Sequence, residues 1–120
     1  MERRQYEHHL GRLAEALREE ISAMVEGELA DPRVGLATVT DVTLAPDGKS
    51  AHVLVAGVGD EKEAEQSIKG LAAATGFIRH EVADRLRLRQ APELYFRLDK
   101  SEQYESRIDE LLKRIEKRRE

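Results

Sequence analysis

Cysteine and tryptophan are both absent from this chain of 120 residues, and only 4% of its residues are aromatic. Without cysteine, the chain has no disulfide, thiolate metal ligand or cysteine nucleophile, which fits a cytoplasmic location. Proline occurs three times, and no apolar run approaches the about 20 residues that a membrane-spanning helix needs. A chain of this length suits one domain, which we expect to cover residues 1–120.

Charge is abundant but unevenly distributed. Charged residues make up 37% of the chain, yet they nearly cancel to a formal net charge of −4. The stretch 60–65 is mostly acidic, whereas the stretch 77–89 is rich in arginine. The distribution of charge is therefore a better guide to binding partners than the acidic total, which taken alone would argue against nucleic acid.

The first half of the chain predicts one long helix and a hairpin. Apolar residues spaced three and four apart predict a helix over 10–29, which ends before the Asp-Pro pair that follows it. Segments rich in valine and threonine at 36–44 and 51–56 predict two antiparallel strands, because turn-forming residues separate them. The alternation slips once within the first strand, which predicts a β-bulge there.

The second half predicts two more helices, a third strand and a terminal helix. Asp60 is a predicted helix N-cap, and the helical periodicity restarts at Phe77. We predict a sharp kink at Gly76, because glycine relaxes both sterics and backbone geometry. Residues 94–98 alternate as a strand, and Ser101 is a predicted N-cap for the last helix. The resulting order, α-β-β-α-kink-α-β-α, is an α+β domain with its helices on one face of a three-stranded sheet.

That order is also found in type II KH domains, which bind single-stranded RNA. Segments spread over nearly the whole chain resemble the signature of the ribosome-binding factor A family, in the same order and at the same spacings. In that family an Ala-x-Gly helix–kink–helix replaces the G-x-x-G loop of other KH domains, and Ala74-Thr75-Gly76 fits this pattern. Glu105 departs from the family, whose members commonly carry glycine there. The matching segments are 12–15, 20–21, 31–35, 76–81, 85–89, 92–96 and 107–112.

The resemblance implies a ribosome-assembly factor that binds the free small (30S) ribosomal subunit and its 16S rRNA near the 5′ end. It also implies support of late maturation and rRNA processing, cold adaptation, and release by a ribosome-associated GTPase. We expect a monomer. A generic KH module for single-stranded RNA should carry the G-x-x-G loop, and a protein–protein adaptor should tolerate high salt, whereas phosphate binding weakens as salt rises. These two alternatives stay open on the sequence.

Catalysis and metal binding find no support in the residue pattern. The adjacent pair His8-His9 points to different sides of a helix, and no histidine has the spacing of a metal site. The serines lack a nucleophile elbow, and the chain has no glycine-rich loop for phosphate. We therefore expect no metal, no cofactor and no enzymatic activity.

Candidate RNA-binding residues lie first on the helix after the predicted kink. Helical spacing places Arg79 and Arg87 on one outward line across the small Ala83, where arginine would neutralise phosphate and stack on bases. In the competing interpretation, Arg79 and Arg85 pair with acidic residues of the same helix. The candidates here are Arg79, His80, Arg85, Arg87 and Arg89.

The first helix carries a second candidate group. Arg4, His8 and Arg12 are spaced four apart and lie together opposite the apolar stripe. Their cations oppose the helix dipole, which favours an external anion, although pairing of Arg12 with Glu15 is an equal explanation. At the chain's other end we interpret a basic cluster as mostly structural, because cations suit a helix C-terminus. This cluster consists of Lys113, Arg114, Lys117, Arg118 and Arg119.

Overall fold

The first helix, α1, spans Arg3–Ala23 and continues as a π-helical turn over Met24–Glu28. Leu17 and Ile21 are fully buried on its apolar stripe, and Met24 extends that buried stripe into the turn. The predicted amphipathic helix is confirmed, and it starts earlier than its apolar stripe. The computed structural model describes residues 2–29, 31–34, 37–57, 59–100 and 112–117.

Three strands form one sheet in the order β1-β2-β3. The strand β2 pairs antiparallel with β1 and parallel with β3. The predicted bulge is present: the register shifts between Val39 and Asp41, so that Val39 and Val42 are both buried. The strands are β1 at Thr38–Leu44, β2 at Ser50–Ala56 and β3 at Glu93–Leu98.

The second helix, α2, spans Glu61–Ala73 and begins as predicted at Asp60, whose carboxylate accepts a 2.8 Å hydrogen bond from the backbone N–H three residues later. Its middle packs closely on the turn that follows α1. The Ser67 hydroxyl donates to the Val34 carbonyl at 3.0 Å. A Cβ added at Gly70 would lie 3.1 Å from Val34 Cγ2, so this contact has no room for a side chain.

The turn itself is held by a local carboxylate. Asp31 Oδ1 accepts from the Arg33 backbone N–H at 2.9 Å, and the Arg33 guanidinium donates to Oδ2 at 2.6 Å. These hydrogen bonds hold the pKa of Asp31 below its ordinary value. The turn delivers Val34 to the core, where it is 2% exposed.

The third helix, α3, spans Thr75–Arg85, and the break between α2 and α3 is at Ala74, with φ −88° and ψ 0°. The break therefore falls at the first residue of the Ala74-Thr75-Gly76 segment that the family resemblance implies, and the prediction of a kink at Gly76 itself is wrong by two residues. Gly76 is inside α3, and a Cβ added there would meet nothing within 4 Å. The break is instead stabilised around Ala74, whose N–H is shared between the carbonyls of Gly70 and Leu71 at 3.1 Å each.

The helices cover one face of the sheet, whose central strand turns Ala51, Val53 and Val55 into the core. On the other face Tyr95 is half exposed and stacks on His52, with ring centroids 5.5 Å apart. The α+β, KH-like architecture predicted from the sequence is thus confirmed. Ser101 and the start of the predicted terminal helix lie outside the described residues, whereas residues 112–117 are helical and exposed.

Candidate nucleic-acid interface

The exposed side of α1 forms one wall of a cleft of about 460 Å³. Leu86 and Leu88, which follow α3 in the chain, also line this cleft. Both predicted candidates His8 and Arg12 border this cleft, whereas Arg4 is exposed outside it. The remaining lining residues are Gln5, His9, Leu13 and Ala16.

A left-handed residue at the end of α3 places Leu88 beside α1. Arg87 has φ +53°, a conformation that usually requires glycine at this position after a helix. The Leu88 N–H donates to the Ala83 carbonyl at 2.8 Å, and the Arg87 N–H donates to the Asp84 carbonyl at 3.3 Å. This is the paired hydrogen bonding of a Schellman motif, with arginine where glycine is the common choice.

A second cavity, of about 540 Å³, lies on the other side of Leu88. It is lined by the predicted candidates His80, Arg87 and Arg89, together with Ala83, Asp84 and Leu88. Because Leu88 lines both cavities, some members of each predicted group lie on adjoining surfaces: His8 and Arg12 from the first helix, and His80, Arg87 and Arg89 from α3 and the residues after it. We call these together the Leu88 surface; its cations are Arg12, Arg87 and Arg89.

The cations of the Leu88 surface are available to a ligand. Arg12, Arg87 and Arg89 are exposed, and within the part of the chain that the structure describes none of them makes a side-chain hydrogen bond or ion pair. Glu15, the predicted alternative partner of Arg12, instead binds Arg18, which lowers the pKa of the Glu15 carboxyl. Three free guanidinium groups beside the three imidazoles of His8, His9 and His80 can bind phosphates and stack on bases.

The Arg79 side chain does not lie on the outward line with Arg87 that the sequence predicts; it contacts the segment before β3 instead. Its Nε donates to the Pro92 carbonyl at 2.9 Å and its Nη2 to the Ala91 carbonyl at 2.8 Å. Nη1 also lies 3.5 Å from a Glu93 carboxylate oxygen, and the side chain is only 26% exposed. Arg79 therefore ties α3 to the segment that leads into β3, and it does not share a cavity with Arg87.

Arg85 is also occupied within the protein. Its Nη2 donates to Glu28 at 2.6 Å, Nη1 lies 3.5 Å from Glu20, and Nε lies 3.4 Å from Glu81. The hydrogen bonds to Glu28 raise the pKa of the guanidinium. The pairing of Arg85 with Glu81, which the competing interpretation predicted, is therefore present. Two further partners, Glu20 and Glu28, come from α1 and its π-helical turn. Arg85 holds α3 against the first helix.

The basic C-terminal cluster is described only in part. Lys113, Arg114 and Lys117 are exposed on helical residues 112–117, and their predicted partners Asp109 and Glu110 lie outside the described residues. Their structural role stays a prediction. Among the described residues no group of three histidines or carboxylates could hold a metal ion. No described helix is both long and apolar enough to cross a membrane.

Comparison with known proteins identifies relatives along almost the whole chain. The family model described as ribosome-binding factor A matches residues 9–112. Ribosome-binding factor A of Koribacter versatilis is 62% identical over 119 residues, which cover 99% of this chain and 97% of the relative. The protein of the same name from Desulfitobacterium hafniense is 42% identical over 113 residues, covering 94% and 90%.

Two solved structures are similar as well. The crystal structure of ribosome-binding factor A from Thermus thermophilus has a TM-score of 0.60 and 34% identity, covering 78% of this chain and 94% of that one. A homology model of the Thermus thermophilus protein, fitted into a cryo-EM map of its complex with the 30S subunit, has a TM-score of 0.56 with the same identity and coverage.

Proposed function

Since this chain belongs to the ribosome-binding factor A family, we propose that it binds the small ribosomal subunit through the Leu88 surface. The bound element is 16S rRNA, and the protein acts by binding and not by catalysis. Arg12, Arg87 and Arg89 contact phosphates, while His8 and His80 add hydrogen bonds and stacking at the same surface. Arg79 and Arg85 support this surface from inside the protein and do not contact the RNA.

The observation that carries this proposal is the shared position of Leu88 between the two cavities. It joins cations from α1 and from the end of α3 that are far apart in the sequence. RNA is bound by displacing counterions from several phosphates at once, so several exposed guanidinium groups around Leu88 favour it. The 30S complex of the Thermus thermophilus relative supports the same class of partner.

The finer parts of the proposal come from the family resemblance. The protein binds the free subunit near the 5′ end of the 16S rRNA and assists late maturation and rRNA processing, including at low temperature. A ribosome-associated GTPase releases it, and it works as a monomer in the cytoplasm. Co-migration with free small subunits, and not with whole ribosomes, on a lysate gradient is the expected result.

Charge reversal tests the surface directly. We expect Arg87→Glu with Arg89→Glu to reduce co-sedimentation with small subunits at least tenfold, because two phosphate contacts become repulsive. Folding should be retained, since exposed substitutions usually change stability by less than about 0.5 kcal/mol. Arg87 differs from an ordinary surface residue in its left-handed backbone conformation, so the unfolding midpoint is measured for every variant.

The matched control is Lys113→Glu with Lys117→Glu, which reverses two exposed cations on the C-terminal helical residues. We expect a smaller loss of binding for this pair. If the control variant loses more binding than the Arg87 and Arg89 variant, the RNA does not bind at the Leu88 surface and the proposed site is wrong. If the unaltered protein migrates equally with translating ribosomes, the specificity for the free subunit is wrong.

A further inference from the structure

The cleft between α1 and Leu88 has an apolar floor that phosphate binding alone does not explain. Leu13, Ala16, Leu86 and Leu88 line it, and all four are partly exposed. A contiguous apolar patch bordered by polar groups is typical of a binding site. Phosphates avoid such a floor, so the ligand must also present an apolar face.

The rim of the cleft consists of planar polar side chains. Gln5, His8, His9 and Arg12 border it, and within the described ranges none of the four makes a side-chain hydrogen bond or ion pair. Imidazole rings and guanidinium planes are the groups on which unpaired RNA bases stack, and an amide reads the base edge by hydrogen bonding. The rim therefore offers what an unpaired base requires.

Size and neighbouring charge narrow the choice of ligand. A volume of about 460 Å³ falls in the range of roughly 300–1,000 Å³ that small-molecule sites occupy, which suits one base with its ribose. Beyond Leu88, Arg87 and Arg89 are placed for the adjoining phosphate. An aromatic side chain of a partner protein would cover the floor but would give these cations no anion.

We infer that the cleft holds one unpaired nucleobase of RNA, with its phosphate at Arg87 and Arg89. The inference rests on the proposed function, because it assigns a particular part of the RNA to a particular part of the Leu88 surface. Leu88 lies between the apolar residues that would contact the base and the two arginines that would contact the phosphate. The cleft thereby selects RNA that is single-stranded at this point, since a paired base cannot leave its helix without cost.

The test compares two RNA heptamers that differ only at the central nucleotide, which is 2-aminopurine in one and abasic in the other. We expect the unaltered protein to bind the first about tenfold more tightly, the size of effect that loss of one stacked base produces. The fluorescence of 2-aminopurine should be quenched on binding. Ala16→Leu should abolish the preference, because the added side chain fills the floor of the cleft.

Ala73→Leu is the matched control, since it adds the same side chain at an exposed position of α2 outside both cavities. It should keep the preference. The variant His8→Ala with His9→Ala changes two exposed positions and should weaken the preference for the 2-aminopurine heptamer without filling the cleft. It tests the inference even if Ala16→Leu does not fold. Each variant is also tested for sedimentation with small subunits.

Two outcomes overturn the inference while leaving the proposed function intact. In the first, the protein binds small subunits but treats both heptamers alike. In the second, the protein prefers neither heptamer, yet Ala16→Leu weakens its binding to small subunits. The cleft would then be a binding site for a ribosomal protein. Failure of the unaltered protein to bind small subunits at all would instead overturn the proposed function.

Discussion

Arg87 combines an unfavourable backbone conformation with an exposed side chain that has no partner among the described residues. A left-handed backbone conformation destabilises a non-glycine residue by about 1–2 kcal/mol relative to glycine. The Schellman hydrogen bonds around Arg87 hold the residue in this conformation. Residues kept in such conformations often serve a binding site, because glycine would otherwise be favoured. This conformation supports the ligand contact that we propose for Arg87.

We predict that Arg87→Gly separates stability from binding. The free energy of unfolding should rise by about 0.5–1 kcal/mol, because glycine adopts positive φ without strain. Binding to small subunits should fall at the same time, since one phosphate contact is lost. Urea unfolding and gradient sedimentation measure the two effects. A variant that is less stable than the unaltered protein would show that Arg87 is not strained.

At the scale of elements, the Leu88 surface depends on two arginines that do not belong to it. Arg79 ties α3 to the segment before β3, and Arg85 ties α3 to the π-helical turn after α1. Both use the forked geometry of the guanidinium to reach several acceptors at once. Together they hold the C-terminal end of α3 at a constant position against α1, where the two cavities meet.

We predict that Arg79→Met acts on stability and not on RNA contact. Methionine keeps much of the side-chain volume but leaves the carbonyls of Ala91 and Pro92 without their donors, which should cost about 1–2 kcal/mol. Hydrogen exchange should accelerate in β3, next to the lost contact. Once the folded fraction is taken into account, affinity for small subunits should match that of the unaltered protein.

The informative comparison is with Arg87→Met, which should lower affinity and leave β3 protected. If Arg79→Met lowers the affinity of fully folded protein as much as Arg87→Met does, then Arg79 contacts the ligand despite its internal hydrogen bonds. The pair of variants therefore separates a positioning role from a binding role for an arginine within α3 and an arginine just after it.

At the scale of the whole molecule, binding RNA with a net charge of −4 requires that charge be segregated. The first turn of α2 carries Glu61 and Glu63, and neither lines the cavities of the Leu88 surface. Acidic residues away from the contact repel phosphate and so favour one orientation of approach. In the proposed complex, the charge distribution would therefore contribute to orientation as well as to affinity.

We predict a steep dependence of subunit binding on salt. The logarithm of the association constant should fall linearly with the logarithm of salt concentration, by about one unit of slope per phosphate contact. Removing the cations of Arg87 and Arg89 with glutamine should flatten the slope by about two. Titrations in potassium chloride measure it. A slope near zero would favour the protein–protein adaptor that the sequence left open.

Sequence pattern by itself determined the order of the described helices and strands, the cap at Asp60 and the bulge in β1, because each depends on residues close together in the chain. It also identified the family, from segments spread along the chain. Tertiary structure decided which arginines are free. The carbonyls that bind Arg79 lie 12 and 13 residues away. Arg85 has one local partner, Glu81, but Glu20 and Glu28 lie 65 and 57 residues away, where no local pattern indicates them. The left-handed turn at Arg87 brings Leu88 beside α1, and that long-range contact is why two separate candidate groups become one surface.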